Sequence, residues 1–121
     1  MVGEVLVAGA INTDLVARVM RAPEAGETVT GQAFNVFGGG KGANQALSCA
    51  RSGASTAMLG ALGDDDFGRQ RVEDLRSDGI DVASVLISKL RRTSSAVTFS
   101  SGTGRQIAAQ LTRTSSRPKF W

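Results

Sequence analysis

Ten residues constrain this chain more than any others: Phe37-Gly38-Gly39-Gly40-Lys41-Gly42-Ala43-Asn44-Gln45-Ala46. Four glycines and a lysine run directly into a helical pattern, with Ala43, Ala46, Leu47 and Ala50 spaced i, i+3, i+4 and i+7. Gly53 supplies the stop. A glycine turn before a helix leaves the first backbone N–H groups open, and the helix dipole favours anionic or oxygen-rich groups there. Lys41 adds a charge at that end and Asn44 an amide that both donates and accepts. The same glycines also suit a plain tight turn. The stretch is not a P-loop, because Gly42 stands where Ser or Thr would hold magnesium.

Around it the chain alternates. Val5-Leu6-Val7-Ala8 reads as a buried parallel strand covered on both faces. Asn12 and Asp14 follow, pointing the same way in extended backbone as turn formers or as ligand contacts. Ligands of open α/β sheets bind at the carboxyl ends of strands. Residues 15–37 form two β-prone runs about the polar turn Ala22–Glu27, an insertion suited to a lid. Ser55–Leu62 is a second strand, completing a βαβ unit. Of Asp64, Asp65 and Asp66, one is expected to cap the helix Phe67–Ser77, with Phe67, Val72 and Leu75 as its apolar face; a divalent metal is the other use for such a run. Val85–Ile87 is a third strand, and residues 93–110 suit a hairpin. The fold class is therefore α/β: a Rossmann-like parallel sheet with flanking helices and a small β lid. The core is 1–14 and 38–87, and the tail 112–121 is expected to be disordered.

Composition narrows the function classes. The chain has 121 residues, one cysteine and a net charge of +3. Residues 1–87 carry a balance of −4, whereas 88–121 carry +7 with no acid. The basic tail lacks a nucleic-acid module, so no nucleic-acid partner is expected. A lone Cys49 suits a reducing compartment, and the amino terminus, with no basic region and with Gly9 inside its apolar run, is expected to be neither a leader nor a span. A cytoplasmic protein with no membrane partner is the expectation.

The motifs Gly9–Asp14, Pro23–Thr28, Gly39–Ala46 and Gly63–Asp65 stand in the order of the ribokinase-like (pfkB) carbohydrate kinases, which the chain resembles closely from about Val5 to Val85. The Gly-Gly-Lys-Gly-Ala-Asn-Gln-Ala wording is more similar to the ribokinase branch than to fructokinases or adenosine kinases. The resemblance implies transfer of the ATP γ-phosphoryl group to ribose or a similar sugar, with Mg2+ and a monovalent cation such as K+. It implies that Asn12 and Asp14 hydrogen-bond sugar hydroxyls, that Gly39, Gly40, Lys41 and Asn44 complete the pocket, and that the lid pairs with a second subunit. The family's Gly-Ala-Gly-Asp motif, which brings the catalytic base, does not occur, and no acid follows Asp81. No catalytic residue or metal ligand is assigned. The expectation is the amino-terminal part of such a kinase, truncated or frame-shifted, inactive by itself. The alternative is a non-catalytic sugar-binding or dimerisation fragment.

Overall fold

The structure, a computed structural model, describes residues 4–102 and the strand 106–111. The order of elements is β1 (Glu4–Ala8), β2 (Asn12–Val19), β3 (Gly31–Gly39), α1 (Lys41–Arg51), β4 (Ser55–Gly63), α2 (Asp66–Ser77), β5 (Val85–Ser88), β6 (Ser95–Ser101) and β7 (Gln106–Leu111). The expected tail, residues 112–121, lies outside the described residues.

Two sheets form. In the first, β1, β4 and β5 are parallel in that order, Val5 opposite Thr56 and Leu62 opposite Ile87. Strand periodicity sends Val5, Val7, Met58, Leu62 and Val85 to one face, where α1 and α2 cover them. Ile11, Ala46, Leu75 and Ile80 complete that core, and Cys49 packs against its edge.

Coverage of β1 on both faces was expected and is not found. Its opposite face carries Leu6, Leu59 and Leu86, which are 62%, 45% and 65% exposed. Both helices lie on the other side, so the apolar run of β1 marks two buriable faces of which this chain covers one.

The second sheet has the order β3-β2-β6-β7. β2 and β3 pair antiparallel across the turn at 22–27, and β6 then joins β2 in parallel, Thr13 opposite Ser95. The carboxyl-terminal hairpin therefore extends the sheet begun by the insertion. One face of this sheet presents Phe34 and Val36, both exposed, beside Leu15 and Val97. The turn at its tip is held by Arg21 on Glu27, and by the Glu24 amide donating to the Glu27 carboxylate at 2.9 Å. Principally through that guanidinium, the Glu27 carboxyl is lowered to about 2.

α2 begins as the acidic run suggests. Asp65 is its N-cap and accepts from the Gly68 amide at 2.7 Å. The same carboxylate also takes the Thr93 amide at 2.8 Å and the Thr93 hydroxyl at 2.7 Å, while that hydroxyl accepts from Gly63 N–H. Asp64 and Asp66 instead pair with Arg69. One part of the helix reading is corrected. Gly68, Arg71 and Leu75 are its buried residues, whereas Phe67 is exposed. Leu75 is buried and Val72 packs against the core, so the expected face holds at those two positions and Phe67 alone falls outside it.

Two outcomes follow. Exposed apolar sheet faces drive association, so the chain should self-associate at micromolar concentration. Leu6→Asp combined with Leu86→Lys should shift it toward monomer in light scattering, and unchanged association would clear this face. For Asp65, burial pushes the carboxyl up, but hydrogen bonds from Thr93 and Gly68 outweigh it and hold it below its ordinary 3.8. A depressed folded pKa stabilises above the unfolded value and loses that contribution as pH falls through the folded one. Asp65→Ala should cost about 0.5–2 kcal/mol at neutral pH. Urea titrations of the two proteins should converge as pH drops below 3.8; a gap that widens in acid would contradict the network.

Candidate functional site

The glycine stretch straddles the end of β3 and the start of α1. Gly40 is the N-cap, with φ +95°, and no side chain caps the helix. A Cβ on Gly40 would lie 2.5 Å from the Ala10 carbonyl oxygen and 2.9 Å from the Asn12 amide nitrogen. The position is therefore closed to side chains by both φ and space. The first turn is fixed by the Ala43 amide on the Ala10 carbonyl at 3.1 Å and the Asn44 amide on the Gly40 carbonyl at 2.9 Å.

β2 carries the polar pair expected after β1, and places it inside a strand rather than a turn. Asn12 pairs with Gly39 and Asp14 with Phe37. Alternation puts Asn12, Asp14, Gly39 and Phe37 on one face. A Cβ added at Gly39 would collide with the Asp14 carboxylate, so the carboxylate lies directly on the bare Gly39 backbone. Asn12, Asp14, Gly39 and Gly40 thus meet where β2 and β3 reach the helix start. Lys41 is the first residue of α1 and exposed; Asn44 lies in the same turn, also exposed.

The electrostatics of this corner are unusual for a helix start. No acid lies in the first turn of α1, and a lysine stands there instead. A cation at the positive end of the dipole is locally unfavourable. That combination favours a partner with acceptor oxygens, which Asp14 beside it can orient through hydroxyl hydrogens. Asp14 and Asn12 therefore offer acceptors on the Gly39 floor, and Lys41, Asn44 and the helix amides offer donors in the helix turn that follows it. Phe37, 52% exposed on the Asp14 face, adds an apolar wall that sequence reasoning had not singled out. Its pairing position opposite Asp14 becomes visible only with the register.

Among the described residues, no group of three or more His, Cys, Asp or Glu side chains comes together as a metal site. Each of Asp64, Asp65 and Asp66 is engaged as described. Among the described residues no helix is long and apolar enough to cross a membrane.

Over residues 2–118 the chain matches the model of the pfkB family carbohydrate kinases. It is 43% identical over 76 residues to the ribokinase of Bacillus subtilis (strain 168), covering 63% of this chain and 26% of that protein. To the ribokinase of Schizosaccharomyces pombe it is 42% identical over 87 residues, 67% of this chain and 27% of that one. Among solved structures, ribokinase from Cryptococcus neoformans var. grubii serotype A in complex with ADP superimposes with a TM-score of 0.79 at 33% identity, covering 89% of this chain and 34% of that one. Arabidopsis thaliana ribokinase complexed with ribose and ATP gives 0.82 at 29% identity, covering 92% and 36%. The chain spans about a quarter of the length of the curated relatives it matches.

Gly39→Ala tests the geometry without reference to activity. Its methyl group must displace the Asp14 carboxylate, so the backbone signals of Asn12 to Asp14 should shift in NMR spectra while those of β4 stay in place. Unmoved Asp14 signals would show that the carboxylate does not rest on this glycine.

Proposed function

The chain belongs to the pfkB family of carbohydrate kinases, and on that premise we propose that it forms the sugar-holding part of a ribokinase-type enzyme. The observation that carries this is the Asp14 carboxylate seated on bare Gly39, beside a helix start that holds a lysine and no acid. A pentose on that floor gives two hydroxyl hydrogens to Asp14 and one to Asn12, and accepts from Asn44 and the helix end. Charged hydrogen bonds of this kind contribute on the order of 1.5–3 kcal/mol each. Their role in the reaction is orientation: they aim one hydroxyl at the phosphoryl donor, the positioning that dominates phosphoryl transfer.

The donor, by analogy with the relatives bound to ADP or ATP, is ATP with Mg2+ and a monovalent cation such as K+. The described residues do not fit it. The Asp64, Asp65, Asp66 and Asp74 carboxylates are tied up in a cap and ion pairs, and no acid follows Asp81 to serve as base. No chemical step is assigned to this chain alone. The β3-β2-β6 sheet is the lid in this reading, and its exposed Phe34 and Val36 are the surface through which it pairs with a second subunit.

Calorimetric titration with ribose tests the assignment. Asp14→Ala removes both of its charged hydrogen bonds and should weaken binding roughly 100-fold or more, and Lys41→Ala should weaken it with the fold intact. The unaltered chain should release no ADP from ATP in the presence of ribose. Equal affinity in Asp14→Ala would remove Asp14 from the site, and sugar-dependent ADP release would overturn the view that the chain lacks a catalytic base.

A further inference from the structure

α2 uses one of its three buried positions for a cation. Arg71 lies at the helical spacing that joins Gly68 and Leu75, and its side chain is only 6% exposed. Its NH2 meets Asp74 Oδ2 at 2.8 Å, but Nε and NH1 are buried and find no acceptor among the described residues. Buried donors of a charged group are ordinarily paired. Among the described residues one other buried side-chain atom lacks a partner, the hydroxyl oxygen of the fully buried Thr13. A hydroxyl oxygen accepts from a guanidinium, so the two deficits are complementary.

The topology brings both to one side of one ribbon. Thr13 in β2 stands directly opposite Gly38 in β3, so their side-chain directions share a face. On that face Arg71 NH1 lies 3.3 Å from where a Gly38 Cβ would be. Cross-strand neighbours hold their Cβ positions about 4.5–5.5 Å apart, which sets Thr13 beside the guanidinium. α2 packs against β2 as well as against the core sheet. The Asp14 carboxylate sits against Gly39, on the opposite face. Arg71 and Thr13 therefore stand behind the floor, out of reach of a ligand in front of it. Their unpaired atoms are closed to water too, so a partner must come from inside the protein.

We propose that Arg71 and Thr13 are a positioning pair: seating a sugar on Asn12 and Asp14 closes a hydrogen bond from the Arg71 guanidinium to Thr13 Oγ1 behind them. The pair acts on the sugar floor and so rests on the function proposed for it. Asn12, Thr13 and Asp14 are consecutive in one strand, so holding the first and third from the front fixes the second at the rear. A contact adds to affinity only as far as it is better made in the bound state. Here a small shift gains much, because both groups are already desolvated and one bond relieves each of them. Neither residue touches the sugar. They set where Asp14 stands on Gly39.

Ribose calorimetry and urea unfolding of the full chain separate this role from a structural one. Thr13→Val keeps the shape and removes the hydroxyl. Without ribose it should unfold at the same urea concentration or a higher one, because an unsatisfied buried group has gone. Its ribose affinity should fall about tenfold or more, the worth of one hydrogen bond to a charged group. Arg71→Met should do the same, and the two combined should cost little more affinity than either alone. Thr13→Ser, which keeps the hydroxyl, should recover most of the affinity lost in Thr13→Val. Unchanged affinity in Thr13→Val, or losses in the two single variants that simply multiply, overturn the pair; the sugar reading then stands if Asp14→Ala still weakens binding. Equal affinity in Asp14→Ala overturns the sugar reading, and the pair with it. If Thr13→Val fails to fold, Arg71→Met decides by the same two measurements: unchanged affinity there overturns the pair equally.

Discussion

The site depends first on how closely one helix can approach one strand end. A Cβ on Gly42 would lie 2.6 Å from the Gly9 carbonyl carbon, and one on Gly9 would lie 2.9 Å from the Gly42 Cα. Two bare backbones therefore touch, and that contact brings the first turn of α1 onto the end of β1. The Gly9 amide is in turn anchored to the Leu59 carbonyl at 3.1 Å, so the contact is referenced to the middle of the parallel sheet. With larger residues the helix would stand off by an ångström or more, and its open amides would no longer share a corner with Asn12 and Asp14. The glycines thus determine distance before they determine chemistry.

A second tie fixes the other sheet. Asp65 caps α2, and through Thr93 it also holds the segment entering β6, while the Thr93 hydroxyl reaches back to Gly63 at the end of β4. One carboxylate therefore joins a helix start, a core strand and the β6 hairpin. β6 pairs with β2, the strand that carries Asp14. The orientation of the Asp14–Gly39 floor is consequently linked to a residue in an acidic run whose local pattern signals only a cap.

Much of this was legible from the residues, because the local rules agree with one another. Glycines before a helix, alternation at Asn12 and Asp14, and a capping aspartate before α2 each have one inexpensive solution. What was not legible had non-local causes. The parallel pairing of β2 with β6 joins residues some eighty positions apart, and nothing in either strand encodes that partner. Continuous apolar character in β1 records that both faces can be buried, but not whether this chain supplies both layers. Arg71 was missed because a charged residue on a helix is ordinarily assigned to solvent; the spacing of Gly68, Arg71 and Leu75 held the signal, and residue type concealed it.

The glycine strand then has opposite charge on its two sides: the Asp14 carboxylate rests on Gly39, and the Arg71 guanidinium lies beneath Gly38. Side chains at these positions would separate both groups from the backbone and fill the space each occupies. Bare glycine lets a carboxylate and a cation approach the same two-residue segment from opposite faces. Low polarisability there makes their fields felt more strongly than across solvent. A local rule is broken at Arg71, where a buried position holds an under-partnered charge, and it is broken directly behind the residues proposed to hold the sugar. The run of three glycines is therefore explained by three different neighbours: Arg71 behind Gly38, Asp14 in front of Gly39, and the Ala10 carbonyl against Gly40.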